Sequence, residues 1–250
     1  MPNADELLLV RRFEELAARA YAAGRCTYTD FLGLSETDVL RRAEREVNYA
    51  GLTLFGGADG CERVIARFGE SEGVEDYPIV CVQIAPAAPK FAEELSHRDV
   101  LGALMNLGIE RDTLGDIYLR DNVAYVFCLP AVLPLITQEL TRVRRTAVKA
   151  AVIDRLPDGV VGRTEETAVQ VASERADVLV AAVWRLSREE SLELFRRGRV
   201  FVNGRLTENN SATLPEGAVV SVRGCGRFRY GGVLSTSRKG KLNVTVYRYV

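Results

Sequence analysis

The sequence predicts an α+β fold in three parts, and three observations carry that reading. Apolar residues recur at helical spacing near the N-terminus. Runs rich in β-branched residues alternate with helical stretches through the middle. Toward the C-terminus, two short capped helices precede an Asn-Gly hairpin signal. At 250 residues the chain is longer than one typical domain needs.

Residues 5–23 read as a helix, because Leu7, Leu8, Val10, Phe13, Leu16, Ala17 and Ala20 fall on one face. A second helix is expected within Thr29–Asn48, with Ser35 as its N-cap ahead of Glu36-Thr37-Asp38. The two form an N-terminal helical segment, residues 1–49.

Residues 50–155 are expected to form the middle domain. Leu52–Phe55 reads as a strand running into Gly56 and Gly57, Cys61–Phe68 as a short helix, and Ile79–Ile84 as a strand. Ser96 is placed to cap a helix that runs to about Leu107 and ends at Gly108. Asp116–Leu119 and Val123–Leu129 read as strands around a hairpin at Arg120-Asp121-Asn122. Pro134–Arg142 reads as a helix and Ala147–Ile153 as the last strand. From Ile79 the order is β-α-β-β-α-β, the ferredoxin-like order also used by RNA-recognition-motif domains. The aromatic-rich sheet motif with which those domains stack bases is not seen, so Tyr125 and Phe127 are read as sheet packing. Leu156-Pro157-Asp158-Gly159 reads as a turn or hinge opening a linker, residues 156–172.

The last part spans residues 173–250. Ser173–Val183 reads as a helix with Val178, Leu179 and Ala182 on one face. Ser187 and Glu190 form the capping box S-x-x-E of the next helix, Leu192 and Phe195 supply its buried stripe, and Gly198 is placed to end it. Asn203-Gly204 between Arg199–Val202 and Arg205–Thr207 is a type I′ hairpin signal. Pro215-Glu216-Gly217 turns the chain into Val219–Val222. Arg175, Arg188, Arg196, Arg197, Arg199 and Arg205 are left exposed on this scaffold. Arginine suits a phosphate partner because its planar fork bonds two oxygens at once, and the start of the second helix is a further candidate to offer N–H groups to a phosphate.

Charge points the same way. Net charge is −1, but residues 165–250 hold 14 Lys and Arg against 9 Asp and Glu, while residues 1–164 hold 19 against 25. Within residues 196–250 the counts are 11 and 2. A basic end on a near-neutral chain is the electrostatic footprint of a polyanion partner, although a solubilising charged face has the same composition. No apolar run reaches membrane-spanning length, and Met1–Glu6 lacks the basic start of a signal peptide, so a cytoplasmic protein with no membrane partner is expected. Cys26, Cys61, Cys81, Cys128 and Cys225 are scattered and His97 is the single histidine, which argues against a disulfide framework and a metal site.

Several motifs have plainer readings than the ones they suggest. His97-Arg98-Asp99 lacks the asparagine and D-F-G of a kinase loop, so helix capping and an internal salt bridge are preferred there, with an RNA or protein contact second. Gly56-Gly57-Ala58-Asp59-Gly60 has no G-K-[S/T] and reads as a tight strand-to-helix turn. Arg142, Arg144, Arg145 and Lys149 form a second basic cluster. It is read first as a solvated face and second, together with His97 and Arg98, as another RNA contact. Arg223 and Arg227 lie among glycines that allow close backbone approach and are favoured as RNA contacts, whereas Arg238–Lys241 read as mobile, screened charge.

Arg175-x-Asp177, Leu186-Ser187-Arg188, Arg197-Gly198-x-Val200-x-Val202-Asn203-Gly204 and Pro215-Glu216-Gly217, in that order, resemble the S4-type (αL) RNA-binding domain. Ala176 departs from that pattern, where a leucine is usual, as does Ala218, where an acidic residue commonly follows the glycine. Phe55-Gly56-Gly57, Cys61-Glu62-Arg63, Ser96-His97-Arg98-Asp99-Val100-Leu101-Gly102-Ala103-Leu104-Met105, Gly115-Asp116-Ile117 and Ser221-Val222-Arg223-Gly224-Cys225-Gly226-Arg227-Phe228 further resemble the YlmH family and the related photosystem II S4-domain proteins, over about residues 10–250. The resemblance implies a non-enzymatic factor without cofactor; a monomer is expected because the sequence shows no coiled-coil or dimer stripe. It would bind rRNA of the large ribosomal subunit, with tRNA as a further partner, in quality control of stalled translation. It also implies RNA contacts at Arg175, Asp177, Ser187, Arg188, Arg196, Arg197, Gly198, Arg199, Asn203, Gly204, Arg205, Arg223 and Arg227. The rival reading is an RNA-modifying enzyme of pseudouridine synthase or methyltransferase type that uses the same module as a handle.

Overall fold

The computed structural model describes residues 4–70, 77–157, 159–161 and 164–249; Met1–Asn3, at the expected non-signal start, and Asp158, in the expected hinge, lie outside them. The chain divides into two compact units, Met1–Val161 and Gly162–Val250. No helix among the described residues is long and apolar enough to cross a membrane.

The first unit opens with α1 (Ala4–Ala23), β1 (Thr27–Tyr28), α2 (Leu34–Arg42) and α3 (Glu44–Val47). The helix expected within Thr29–Asn48 is present as α2. Its N-cap is Gly33 rather than Ser35, since the Glu36 carboxylate accepts the Gly33 N–H at 2.6 Å. Strands β2 (Leu52–Phe55) and β3 (Ile65–Phe68) follow, and a small antiparallel sheet forms in the order β1-β3-β2. Two expectations fail here. Cys61–Phe68 is not a helix, because Ile65–Phe68 is buried along its whole length and pairs on both sides, with β1 and with β2. Nor do residues 1–49 form a separate segment. Phe13, Leu16, Ala17 and Ala20 of α1 share one core with Val39, Leu40, Ala66 and Phe68, so helices and small sheet are buried together.

Next come β4 (Val80–Pro86), α4 (His97–Asn106), β5 (Leu114–Arg120), β6 (Val123–Cys128), α5 (Leu133–Glu139), β7 (Arg142–Val143) and β8 (Thr146–Ile153). They build an antiparallel sheet ordered β5-β6-β4-β8-β7. The β5–β6 hairpin turns on Asp121 and Asn122, at φ 51° and 60°, as a type I′ turn requires. Alternation along the strands sends Val82, Ile84 and Val126 to one face, against Val100 and Leu104 of α4 and Ile136 of α5. Cys81, Tyr125 and Phe127 go to the other face, where Phe31 and Ile65 cover them.

A half-buried polar knot ties the small sheet to the large one. Arg63 donates to the carbonyls of Phe31 (2.8 Å), Leu114 (2.8 Å) and Arg111 (3.0 Å). Asp116 accepts the N–H groups of Glu62 (2.6 Å) and Arg63 (3.3 Å) and the Tyr118 hydroxyl (3.1 Å). Gly56 and Gly115 sit where a side chain would strike this packing: a Cβ on Gly56 would lie 2.4 Å from the Arg63 carbonyl, and one on Gly115 would lie 2.7 Å from the Phe31 ring. The Cys61-Glu62-Arg63 and Gly115-Asp116 blocks are therefore explained by folding, and the Gly56–Gly60 stretch is a loop between two paired strands rather than a strand-to-helix turn.

The second unit contains β9 (Thr164–Val171), α6 (Ala176–Trp184), α7 (Arg188–Arg196), β10 (Val200–Val202), β11 (Arg205–Leu206), β12 (Val219–Val222), β13 (Gly226–Thr236) and β14 (Leu242–Tyr249). Its sheet runs β11-β10-β12-β13-β14-β9. The expected linker, 156–172, is corrected by β9, which pairs with β14 along its whole length. That strand is an almost fully exposed edge, so Thr164-Glu165-Glu166-Thr167 carries no apolar alternation to announce it. Both helices lie on one face of the sheet. Leu179, Val180 and Phe195 pack there on Val200, Val220, Phe228, Tyr230 and Val246.

Candidate nucleic-acid interface

Two helices and a hairpin position the arginines of the second unit. α6 starts at Ala176, not Ser173, and its first N–H groups are already used: Ala176 donates to the Ala212 carbonyl at 2.9 Å and Asp177 to that of Asn210 at 3.0 Å. Asp177 is 3% exposed. Its carboxylate accepts Arg175 Nε at 3.0 Å and Nη2 at 2.7 Å, Asn210 Nδ2 at 2.9 Å and the Val178 N–H at 2.9 Å. Burial by itself would raise this carboxyl, but the hydrogen bonds from Arg175 and Asn210 outweigh it and hold the group below its ordinary range. Ser191, also buried, donates to the Asp177 carbonyl at 2.7 Å and locks α7 onto α6.

At α7, Ser187 and Glu190 form the expected capping box, with Ser187 N–H to Glu190 at 2.7 Å and Glu190 N–H to Ser187 at 3.2 Å. The suggestion that this helix start receives a phosphate is not supported. Its capping donors are engaged, and Glu189 and Glu190 place negative charge where a phosphate would sit. The helix offers arginines instead. Arg188, Arg196, Arg197 and Arg199 are all exposed. Arg196 and Arg197 line both a groove of ≈ 650 Å³, with Leu192, Gly198 and Glu208, and one of ≈ 740 Å³, with Ser187, Glu193 and Arg199. Glu193 bridges the two at 3.5 and 2.8 Å, and the Arg197 hydrogen bond holds its carboxyl low.

The remaining expected residues divide by role. Gly198 ends α7 at φ 62°, and Asn203 and Gly204 turn the β10–β11 hairpin at φ 49° and 76°. Asn203 Oδ1 also accepts the Val219 N–H at 2.9 Å, pinning the hairpin to β12. Asp177, Ser187, Gly198, Asn203 and Gly204 thus build the scaffold, and Arg175 is held on Asp177. Arg205 is half-buried on β11. Arg223 follows β12, where its N–H donates to the Arg199 carbonyl at 2.9 Å, and Arg227 lies on β13.

Arg223 and Arg227 lie on the sheet face opposite the helices, in company that sequence reading missed. The Arg223 guanidinium covers Phe201 at 4.6 Å, Arg227 covers Tyr249 at 5.0 Å and Arg229 covers Tyr247 at 4.3 Å. The period-two spacing Arg227-x-Arg229 and Tyr247-x-Tyr249 was the available signal, since alternate residues of a strand share a face.

In the first unit the structure gathers Arg98, Arg142 and Arg144 around a cleft of ≈ 520 Å³ together with Asp99, Gly102 and Glu139. Arg144 is paired there with Glu93 at 3.6 Å and Asp99 at 3.7 Å. Ser96 and Asp99 cap α4 reciprocally, so the preferred reading of this motif, capping plus an internal salt bridge, is what the structure shows. Arg145 is exposed beyond the cleft lining, and His97 is the first residue of α4. Tyr125 and Phe127 are 7% and 3% exposed, which agrees with sheet packing and closes that face to bases.

Comparison with known proteins decides the family. The chain is 31% identical over 231 residues to the "Ribosome-associated protein quality control protein P2" of Bacillus subtilis (strain 168), covering 90% of this chain and 88% of that protein. The chain belongs to the YlmH family. A family model described as "Putative RNA-binding domain in YlmH" matches residues 73–155. The solved "Cell division protein ylmH from Streptococcus pneumoniae" aligns with 61% of this chain and 93% of its own, at 21% identity and a TM-score of 0.48.

Proposed function

We propose that this YlmH-family chain is a non-enzymatic, cytoplasmic RNA-binding factor that grips rRNA of the large ribosomal subunit through an S4-type C-terminal unit. It would take no cofactor and act as a monomer. The observation that carries the reading is the set Arg188, Arg196, Arg197 and Arg199, all exposed and gathered on one helix and its C-terminal turn. Their guanidinium forks match phosphate oxygens, and the scaffold beneath them is held by Asp177, Ser191 and the Ser187 cap. The name of the Bacillus subtilis relative supports ribosome association and a task in protein quality control, which we read as the handling of stalled translation. The family match over residues 73–155 supports a second RNA contact in the first unit. We assign it to the cleft of Arg98, Arg142 and Arg144, with His97 and Arg145 beside it and tRNA as its partner.

Sucrose-gradient sedimentation of a lysate tests this, with wild type compared with Arg188→Ala/Arg196→Ala/Arg197→Ala. Wild type is expected in the large-subunit fractions at low salt and to leave them as salt rises, because about one counterion is released per phosphate contact. The triple variant is expected at the top of the gradient. Wild type that stays at the top at low salt, or a triple variant that co-sediments unchanged, refutes the proposal.

A further inference from the structure

The helix-free face of the C-terminal sheet carries three guanidinium–ring stacks side by side. Arg229 stands directly across from Tyr247, and Ser221 from both Phe201 and Arg227, so these residues share one face of three neighbouring ladders. The arginines are exposed and the rings beneath them half-buried. Each guanidinium carbon lies 4.3–5.0 Å from a ring centre, which restrains it over the ring before any partner arrives. Glu166 on β9, opposite Tyr247, adds an acidic edge to that row. Gly231 keeps the face shallow, since a Cβ there would lie 2.7 Å from the Tyr247 ring.

We infer that this face is a second RNA surface, one that takes an unpaired RNA segment by stacking its bases on the Arg–Tyr pairs. The inference rests on the RNA-binding reading above and adds the form of RNA recognised. Guanidinium planes and aromatic rings are both surfaces on which an unpaired base stacks, and arginine N–H groups bond phosphate oxygens. A broad sheet face cannot enter the deep, narrow major groove of an RNA duplex, whereas a single strand lies across it with its bases splayed. An apolar protein partner would have to strip water from three guanidinium groups, which disfavours that occupant.

The test uses the full chain with two labelled probes read by fluorescence anisotropy: an oligouridylate of about twelve nucleotides and an RNA duplex of similar length. Tyr247→Leu/Tyr249→Leu is expected to weaken oligouridylate binding by about tenfold or more while leaving duplex binding and the salt slope unchanged, because the rings carry no charge. Tyr247→Phe/Tyr249→Phe keeps the rings and is expected to bind as wild type, which separates stacking from damage to the fold. Arg196→Ala/Arg197→Ala is expected to lose duplex binding yet retain single-strand binding. Unchanged oligouridylate affinity in the leucine variant, or a polyglutamate peptide that displaces the oligonucleotide equally from both proteins, overturns the stacking surface alone. A wild-type chain that binds neither RNA overturns the underlying RNA-binding reading as well.

Discussion

Asp177→Ala tests the link between scaffold and interface most directly. The carboxylate is 3% exposed and receives four hydrogen bonds, two from Arg175 and one each from Asn210 and the Val178 N–H. Its removal leaves the half-buried Asn210 and Val178 donors without that acceptor, at about 1–2 kcal/mol each, the lower part of the range for an unsatisfied donor. The Arg175 bonds add little to this sum, because that guanidinium reaches water. The expected loss is about 2–4 kcal/mol from the second unit. Trp184 is the single tryptophan and lies at the end of α6, so its fluorescence reports on this unit. In urea, with a slope of about 1–2 kcal/mol per molar, the midpoint should fall by about 1–4 M. The carboxyl is held below its ordinary range in the folded state, so its contribution is fully present above the unfolded value of about 3.9 and is lost as pH falls through the folded value. The gap between wild type and variant should therefore narrow at acidic pH. A midpoint shift under about 0.5 M at neutral pH, or a gap that widens on acidification, would refute the argument.

Two other predictions concern the first unit and the thiols. Gly115→Ala places a Cβ 2.7 Å from the Phe31 ring and 2.9 Å from Phe127 Cβ, both in the core. It should cost about 1–3 kcal/mol by overpacking and lower the first unit's melting temperature by circular dichroism, without shifting the Trp184 transition. Burial raises the thiols of Cys61, Cys81 and Cys128 to about 11, 12 and 12, so an aromatic disulfide reagent at pH 8 should react quickly with Cys26 and Cys225 and with all five only after denaturation. Fast native reaction at Cys81 or Cys128 would contradict the packing.

Local order was legible wherever it depends on neighbours in sequence. The Ser96 and Ser187 caps, the Asn203-Gly204 hairpin, the end of α7 at Gly198 and the α4–β5–β6–α5 succession all follow from turn chemistry and hydrophobic period, which act over a few residues. The errors lie where a distant partner decides. Residues 65–68 are a strand because β1 and β2 flank them, and residues 164–171 are a strand because β14 supplies the ladder. Neither partner is visible in a local window.

The candidate interface divides in the same way. That arginines are numerous near the C-terminus, and that Arg188, Arg196, Arg197 and Arg199 are exposed, could be read from the sequence, because charge and helix period are properties of the chain itself; Arg175 and Arg205, expected to be exposed, are half-buried. Which of them are held by carboxylates, such as Arg175 on Asp177, and which stand over aromatic rings, such as Arg229 on Tyr247, was decided by the tertiary structure. The arginine–ring pairings depend on strand register, and register is set by the burial of Val220, Phe228 and Val246 on the opposite face of the same sheet.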